Sequence, residues 1–496
     1  MSMSNIKEFN DLDGLLTEIK TRKKENYYFL WEFLNEIDSH FDELLILLEK
    51  EWNLLLLKFI HKTSLKLPKI SDIYYAAYNF ENEIYDFYWK EIEWNKAYTL
   101  RLHLDKKNYF PKRKLGQPSI KEKKDFIFTE IKWDWNIKVQ VWPIHAWIIS
   151  PGHFRFTCDW ENTLNLDIQL GWKHRWVEEY FTTENNLDKL LDASEDIVWD
   201  SRIAYSINFA KIIEEATNTK ISEKIKQDRV ILLELERIYN HLWTIWAMLN
   251  DVWQWFLLNW FSSIREEFLC LFDDIFKSRT LKWVIWIWKN NIELDDNKYK
   301  LIIKTIDNIF VRFNELYVLW RDSAWIYDRF KETWIVKKQT AYSHWALWIW
   351  AKASWIYKDS RIYDDYYKNI KLEEIIWEQW DVFDRYTVRA KEILQSFKII
   401  KNIANKNIKN KEKWGDKNII SDKKLNDWYY ISQTEWQRWE VLMLAKIVDN
   451  KISYFKIKDP SFVNWTLLEY SVLNNIIADF PICNKSFDLS YSWFDL

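Results

Sequence analysis

Glycine is nearly missing: the 496 residues hold five, whereas an ordinary composition carries about 7%. Cysteine is scarce as well. Cys158, Cys270 and Cys483 lie far apart, form no C-x-x-C pair and offer no disulfide framework, a usage that suits a reducing compartment. No apolar run reaches the roughly 18 residues that a membrane span needs. The stretch Met1 to Lys20 carries acids and no apolar h-region, which predicts no signal peptide, so any membrane connection is expected through partner subunits. A net charge of −3 leaves no electrostatic footprint for nucleic acid. At this length two or more domains with a sizeable core are expected.

What the chain has in excess is tryptophan, thirty-five residues. With the five glycines they make forty, an ordinary glycine load plus a little true tryptophan. They fall in short-period clusters: Trp133-Asp134-Trp135, Trp253-Gln254-Trp255 and Trp345-Ala346-Leu347-Trp348-Ile349-Trp350. An indole every second or third residue serves neither a helix face nor a strand face, while glycine in such places is turn and close-approach chemistry. The pattern reads as UGA codons that mean glycine and are written here as tryptophan. The Lys-, Ile- and Asn-rich composition suits the AT-rich coding in which UGA is reassigned. A protein truly rich in tryptophan is the competing reading. Each real indole would then overfill a tight site at about 1–3 kcal/mol, and twenty or so such sites would exceed the roughly 5–15 kcal/mol that keeps a domain folded.

Residues 1–66 read as helical, from leucine and isoleucine spacing over Asp11 to Lys20 and Tyr28 to Lys58. A mixed segment runs to about 115 and ends in Phe110-Pro111-Lys112-Arg113-Lys114; the polar tract 118–124 reads as a linker. Between Phe126 and Leu170 the pattern turns strand-like at Lys138 to Val141, His153 to Thr157 and Leu164 to Ile168. Long helical periods then dominate to about 405, as in Ala204 to Ala216, Val230 to Leu249 and Tyr299 to Arg321. The Lys-Asn-rich stretch Lys401 to Lys424 reads as a flexible, solvated insert, and a short strand-like tail around Val441 to Ile457 closes the chain. The expected fold class is α+β: a small N-terminal α/β domain, a small antiparallel β region, then a mainly helical-bundle domain.

With glycine read for many tryptophans, Trp142-Pro143-Ile144-His145-Ala146-Trp147 through Pro151-Gly152-His153-Phe154-Arg155-Phe156 resembles the opening of a known family. That family is the large subunit of membrane-bound group 4 nickel–iron hydrogenases (formate hydrogenlyase and hydrogenase-4 type) and its relative, the 49-kDa subunit of respiratory complex I. The likeness continues in order. Leu170-Gly171-Trp172-Lys173-His174-Arg175-Trp176 is similar to LGYxHRG, and Glu234-Leu235-Glu236-Arg237-Ile238-Tyr239-Asn240-His241 to E-x-ERI-x-NH. Asn259 to Glu266 is similar to N-x-F-S-x-x-R-E. Ala351 to Trp355 with Asp359 and Arg361 resembles A-R-A-S-G followed by D-x-R, with Lys352 for arginine. Trp380 to Arg385 with Val388-Arg389 resembles G-D-V-x-x-R and V-R. Further forward, Phe80 to Trp89 resembles the FERE-[IV]-YD-x-x-G motif of the 30-kDa subunit, and Pro111-Lys112-Arg113 its P-L-R-K. A fusion is therefore expected, 30-kDa-like over 1–117 and 49-kDa-like over 125–496. The same register asks for glycine at Trp142, Trp147, Trp176, Trp345, Trp348, Trp355 and Trp380.

The resemblance also implies where chemistry would lie. The hydrogenases hold nickel and iron on four thiolates from two C-x-x-C motifs, soft ligands suited to these metals. Here the first motif falls on Val198-Trp199-Asp200-Ser201 and the second on Phe487 to Trp493, where Ser490 and Trp493 stand near lost cysteine positions and Cys483 is alone upstream. No cofactor is expected on the chain's own cysteines. Quinone reduction, the superfamily's other chemistry, uses a histidine of the first hairpin loop, which His145 or His153 would supply, and a tyrosine near the first motif. Ile197 occupies that tyrosine position, and Tyr205 is the substitute. Ser150 stands where hydrogenases place a proton-carrying glutamate. His174-Arg175 resembles the pair that approaches the terminal [4Fe-4S] cluster of the partner small subunit, where a fixed guanidinium raises the cluster potential.

Structural readings compete with each of these. His145 and His153 also fit two turn histidines, and Arg175 an ion pair with Glu178 or Glu179. Asp381 with Arg385 and Arg389, and Asp359 with Arg361, read as buried ion pairs between helices. Glu234, Glu236, Arg237 and His241 read either as a proton path or as satisfied core polar groups. The function implied is a peripheral-arm subunit of a membrane-bound, ion-translocating oxidoreductase, of the NADH:quinone oxidoreductase or energy-converting hydrogenase type. It would form the acceptor cavity beside a partner cluster on the cytoplasmic side, with an iron–sulfur small subunit and membrane antiporter-like subunits as partners. The alternative is a non-catalytic scaffold coupling a partner's redox change to the membrane arm, and a working nickel–iron hydrogenase is a third reading. A cavity lined by His145, His153 and Tyr205 within reach of Arg175 would favour the enzyme, a filled apolar one the scaffold.

Overall fold

The computed structural model describes residues 5–51, 53–88, 90–93, 126–132, 135–144, 150–343, 349–354, 359–410 and 424–491. His145, Trp493, the tracts 110–114 and 118–124, and Trp147, Trp345, Trp348 and Trp355 lie outside them.

At the front, β1 (Ile6–Phe9), α1 (Leu12–Lys24), β2 (Tyr28–Glu36), β3 (Phe41–Lys50), β4 (Asn53–Lys62) and α2 (Tyr78–Tyr88) follow in turn. The strands form one sheet in the order β1-β4-β3-β2, with β1 parallel to β4 and the other neighbours antiparallel. The helix expected over Tyr28 to Lys58 is thus corrected to three strands. Leu44 to Leu48 and Leu55 to Leu57 are all buried, because helices cover one face of the sheet and the C-terminal sheet the other. Phe29 packs on Tyr74 and Phe80, whereas Phe33 stacks on Tyr454 at 5.8 Å. A strand covered on both faces reads as an unbroken apolar run, and periodicity cannot separate it from a buried helix.

The motif on α2 points inward. Glu81 accepts from the backbone N–H and the hydroxyl of Ser71, both at 2.7 Å. Glu83 pairs with Lys456 at 2.8 Å, and the same ammonium reaches Glu178 at 3.1 Å.

The larger part opens with β5 (Asn136–Val141), β6 (His153–Asp159) and β7 (Asn162–Gln169), an antiparallel sheet. Next come α3 (Val177–Thr183), α4 (Leu187–Glu195), α5 (Arg202–Ala216), α6 (Glu223–Asp251) and α7 (Trp255–Phe276). A minimal hairpin, β8 (Ile285–Trp286) and β9 (Lys289–Asn290), precedes α8 (Asp296–Arg321), α9 (Ala324–Phe330), α10 (Lys338–Ser343), α11 (Ile349–Ala353) and α12 (Val382–Asn410). Side-chain caps set several starts: the Ser222 hydroxyl accepts from Ile225 N–H, and Asp295 from Lys298 N–H. Helices α6, α7, α8 and α12 pack into the bundle.

Lys401 to Asn410 belongs to α12, which corrects the flexible insert expected from 401. Ile400, Ile403, Ala404 and Asn407 are buried at helical spacing, so the Lys-Asn bias is the wet face of an amphipathic helix. The tail is also longer than a short strand: β10 (Trp428–Trp436), β11 (Trp439–Val448) and β12 (Lys451–Lys458) form an antiparallel sheet, followed by α13 (Pro460–Ser471) and α14 (Phe480–Phe487).

Seventeen non-glycine residues among those described have positive φ, and seven are tryptophan: 160, 176, 253, 283, 288, 334 and 380, at 53° to 67°. An L-residue pays roughly 1–2 kcal/mol there, and glycine does not. Trp176 and Trp380 are two positions where the family register asks for glycine. The indole N–H groups of Trp31, Trp320, Trp334, Trp380 and Trp436 are buried without a hydrogen-bond partner, whereas a buried indole usually finds one.

The Lys456 contact makes a direct prediction. Lys456→Met takes the shared ammonium away from the buried Glu83 and Glu178, and is expected to lower stability by about 3–5 kcal/mol in urea unfolding.

Candidate functional site

Where the two thiolate motifs would fall, the chain builds an ion-paired junction. Val198 is buried, and the Ser201 hydroxyl donates to Asp200 Oδ1 at 2.6 Å. Arg438, in the turn between β10 and β11, donates to both Asp200 oxygens at 3.1 and 2.6 Å. It reaches on to Asp488 Oδ1 at 3.4 Å, and its Nε donates to the Asp488 carbonyl. Burial works against the guanidinium charge, yet Asp200 and Asp488 hold its pKa above the ordinary value. Ser490 lies alongside: its N–H donates to Ser461 Oγ at 3.0 Å, and its carbonyl accepts from Trp465 Nε1 at 3.2 Å.

A nickel–iron centre held as in the hydrogenases does not fit these residues. Val198 and Ser201 offer no thiolate, Ser490 offers a hydroxyl, and Asp200 and Asp488 are both engaged by Arg438. Cys483 is fully buried, and burial pushes its thiol well above the usual range, the condition of an inert cysteine.

Tyr205, on the first turns of α5, is fully buried, and its hydroxyl donates to Asp459 Oδ2 at 2.6 Å. Burial first, and then the Asp459 charge, push the phenol well above its ordinary pKa. Asp459 in turn caps α13 by accepting from Ser461 N–H at 2.7 Å, so Tyr205, Asp459, Ser461 and Ser490 form one polar chain. The start of α5 is itself held by Glu236, which accepts from Ile203 N–H at 2.8 Å and Ala204 N–H at 3.1 Å.

His153 lies apart from Tyr205. Its ring stacks on Trp142 at 5.4 Å and meets Phe128 edge-on at 5.4 Å, with Trp172 at 6.4 Å. Burial, and then Arg155, lower its pKa. Among the described residues no hydrogen bond or ring contact joins the two. Next to His153, an added Cβ on Gly152 would stand 2.8 Å from both Leu170 Cδ2 and Tyr491 Cε1. The hairpin base therefore packs directly on the C-terminal segment. A cleft of about 640 Å³, lined by Lys211, Glu214, Lys226, Asp364 and Tyr366, opens elsewhere, toward the far end of α5.

Arg175 clasps the segment that leads into Val198: its Nη2 donates to the Ile197 carbonyl at 2.9 Å and its Nη1 to that of Asp196 at 3.3 Å. His174 packs on Trp176 and Phe87. Glu178, considered as an ion-pair partner of Arg175, is engaged by Lys456 and by Ile457 N–H.

Behind the junction lies a charged cluster that motif reading picks out only in pieces. Arg361 pairs with Asp359 at 2.7 Å and with Glu234 at 3.2 Å. Lys352, Glu392 and Glu435 join them, and the signal that could have found these is the density of acids opposite the arginines of the motifs. Asp381 differs from its expected ion-pair role: its oxygens accept from Glu332 N–H and Asp384 N–H at 2.9 Å each, anchoring the start of α12. Arg385 and Arg389 hold Ser486 through its hydroxyl and carbonyl.

Removing the guanidinium at the junction tests its weight. Arg438→Ala is expected to cost about 3–5 kcal/mol in denaturant unfolding, and Arg438→Lys to recover only part of it, because an ammonium cannot bridge both carboxylate oxygens and the Asp488 carbonyl.

Comparison with known proteins agrees with the architecture. Residues 251–429 match the family described as respiratory-chain NADH dehydrogenase, 49 Kd subunit. The chain is 23% identical over 372 residues to the membrane-bound hydrogenase subunit alpha of Pyrococcus furiosus, which covers 72% of this chain and 87% of that one. It is 22% identical over 362 residues to hydrogenase-4 component G of Escherichia coli, covering 72% and 61% respectively. It is 24% identical over 373 residues to the C/D subunit of the NADH-quinone oxidoreductase of Phocaeicola vulgatus, covering 68% and 69%. No helix among the described residues is long and apolar enough to cross a membrane. The matched family and these relatives together support the large-subunit superfamily of respiratory complex I and the membrane-bound hydrogenases, whose named members are subunits of oxidoreductase complexes.

Proposed function

We propose that this subunit forms, with a partner iron–sulfur subunit, the acceptor site of a membrane-bound, ion-translocating oxidoreductase, docked through antiporter-like subunits on the cytoplasmic side and without nickel–iron chemistry of its own. The observation that carries the reading is the junction itself. Arg438 closes the two former ligand segments with Asp200 and Asp488, leaving hydrogen-bonding groups where soft metal ligands stood. Such groups suit a quinone-type acceptor, whose carbonyl oxygens take hydrogen bonds and protons. Tyr205 holds its proton firmly and directs it at Asp459, and Arg175 ties the cluster-facing element to the segment before Val198. Tyr205→Phe is expected to lower quinone reduction by the purified complex by about 10²-fold or more, the usual weight of a positioned proton donor. An unchanged rate, or stoichiometric nickel in the purified complex, would overturn the reading.

The aromatic packing of Phe128, Trp142 and Trp172 around His153 favours the second reading, a scaffold without its own chemistry. That packing depends on the tryptophans being real. We infer that most are glycine in the cell, through UGA recoding. Seven left-handed indoles and five partnerless buried indole N–H groups support it. Glycine at 142 would uncover the face of His153 that the indole now covers. Peptide mass spectrometry of the native protein is expected to read glycine at 142, 176 and 380; intact tryptophan there would end the idea.

A further inference from the structure

In the cluster behind the junction four carboxylates, Glu234, Asp359, Glu392 and Glu435, share Arg237, Lys352 and Arg361, with Arg389 also bearing on Glu392, and every one of these side chains is buried. His241 adds no charge, since burial pushes its pKa down to about 4 even with Glu392 beside it.

Three of the carboxylates are matched. Glu392 takes Lys352 Nζ at 2.7 Å and His241 Nε2 at 2.8 Å. Asp359 takes Arg361 at 2.7 Å and Lys352 at 3.2 Å. Glu234 takes Arg361 at 3.2 Å, Arg237 at 3.4 Å and the Tyr367 hydroxyl at 2.7 Å.

Glu435 is the fourth. Its Oε2 accepts from Ser360, through the backbone N–H and, at 2.8 Å, the hydroxyl. Its Oε1 is buried with no hydrogen-bond donor: Lys352 Nζ is 3.7 Å away and Arg361 Nε 3.9 Å. The Asp359 carboxyl lies against the same Lys352 and Arg361, one residue before the Ser360 that holds Glu435. A bare buried oxygen facing a second carboxylate is costly, and one proton between the two acids removes both the orphan acceptor and the repulsion.

We propose that the Glu435–Asp359 carboxyl pair is a proton-binding site inside the subunit, with the proton on Glu435 Oε1 donated to Asp359. The groups facing Glu435 come from every packed element: Lys352 of α11, Asp359, Ser360 and Arg361 of the segment beyond it, and Arg237 of α6. Burial first, then the Asp359 charge, raise the Glu435 pKa to about 7, against the pull of Lys352, Arg361 and Arg237. The pair titrates as a unit. The site also adjoins the junction. Arg237 donates to the carbonyls of Glu435 at 3.3 Å and Trp436 at 3.0 Å, on the strand whose turn presents Arg438.

The test is an infrared titration of the full chain across neutrality, reading the carbonyl band of protonated carboxyl groups. A component titrating at about 7 is expected in the wild type and absent in Glu435→Gln. Ser360→Ala, which removes a donor to the ionised form, is expected to move that component to higher pH. Stability carries the same sign. A folded pKa raised above the ordinary glutamate value contributes fully below that value and is lost as pH rises through about 7, a loss that Glu435→Gln should not show. Superimposable wild-type and Glu435→Gln titrations would overturn the proposal. If the glutamine variant does not fold, an unshifted titration in Ser360→Ala overturns it alone.

Discussion

A guanidinium buried between two carboxylates is the interaction on which the rest of the structure depends. Arg438 reaches Asp200, 238 residues earlier, and Asp488, 50 residues later, so one side chain ties the start of α5 to the segment beyond α14. Taking these ions out of water costs several kcal/mol each, and the pairing repays that only when the fork is fully bonded. The geometry meets this condition: two contacts go to Asp200, and the Nε serves the Asp488 carbonyl. It also demands a rigid turn, which Arg237 supplies by holding the carbonyls of Glu435 and Trp436. A bidentate arginine thus closes the two segments without soft ligands.

The same bundle tolerates a second set of charges because all but Glu435 are matched nearby. Removing one partner there leaves an uncompensated ion, a larger loss than the net value of the pair itself. This asymmetry explains why Glu234, Arg237, Asp359 and Arg361 recur as motif letters although, among the described residues, none lies at the junction. They are the terms of a charge balance, and altering any one disturbs all the others.

How much is legible in the sequence depends on whether an element has a wet face. In α8, Tyr299, Ile302, Ile306, Ile309 and Phe313 are buried at helical spacing, and the helix is readable from them. Strands β5 to β7 alternate and read as strands. Strand β3 is buried along both faces, so Leu44 to Leu48 carry no period and read as helix. The end of α12 misleads for the opposite reason: its lysines and asparagines mask four buried positions. At the site, Ser201 and Ser490 can be placed from motif register. The partner of Tyr205 cannot, because Asp459 is 254 residues away and leaves no local trace. His153, expected beside Tyr205, instead sits among aromatic rings, one of which, Trp142, stands where the family register asks for glycine.

That last discrepancy bears on the whole chain. A backbone that enters the left-handed region at Trp160, Trp176, Trp253, Trp283, Trp288, Trp334 and Trp380 is the backbone of a glycine-bearing sequence. The strain of roughly 1–2 kcal/mol at each, taken seven times, is comparable with the entire stability of an ordinary domain. At Trp160, Trp253 and Trp283 packing recovers little of it, since these indoles are among the most exposed of the seven, whereas Trp288 and Trp334 are buried in the core. The tryptophans at these seven places therefore sit where the backbone favours a residue without a side chain, and this is the strain that the proposed recoding to glycine would relieve.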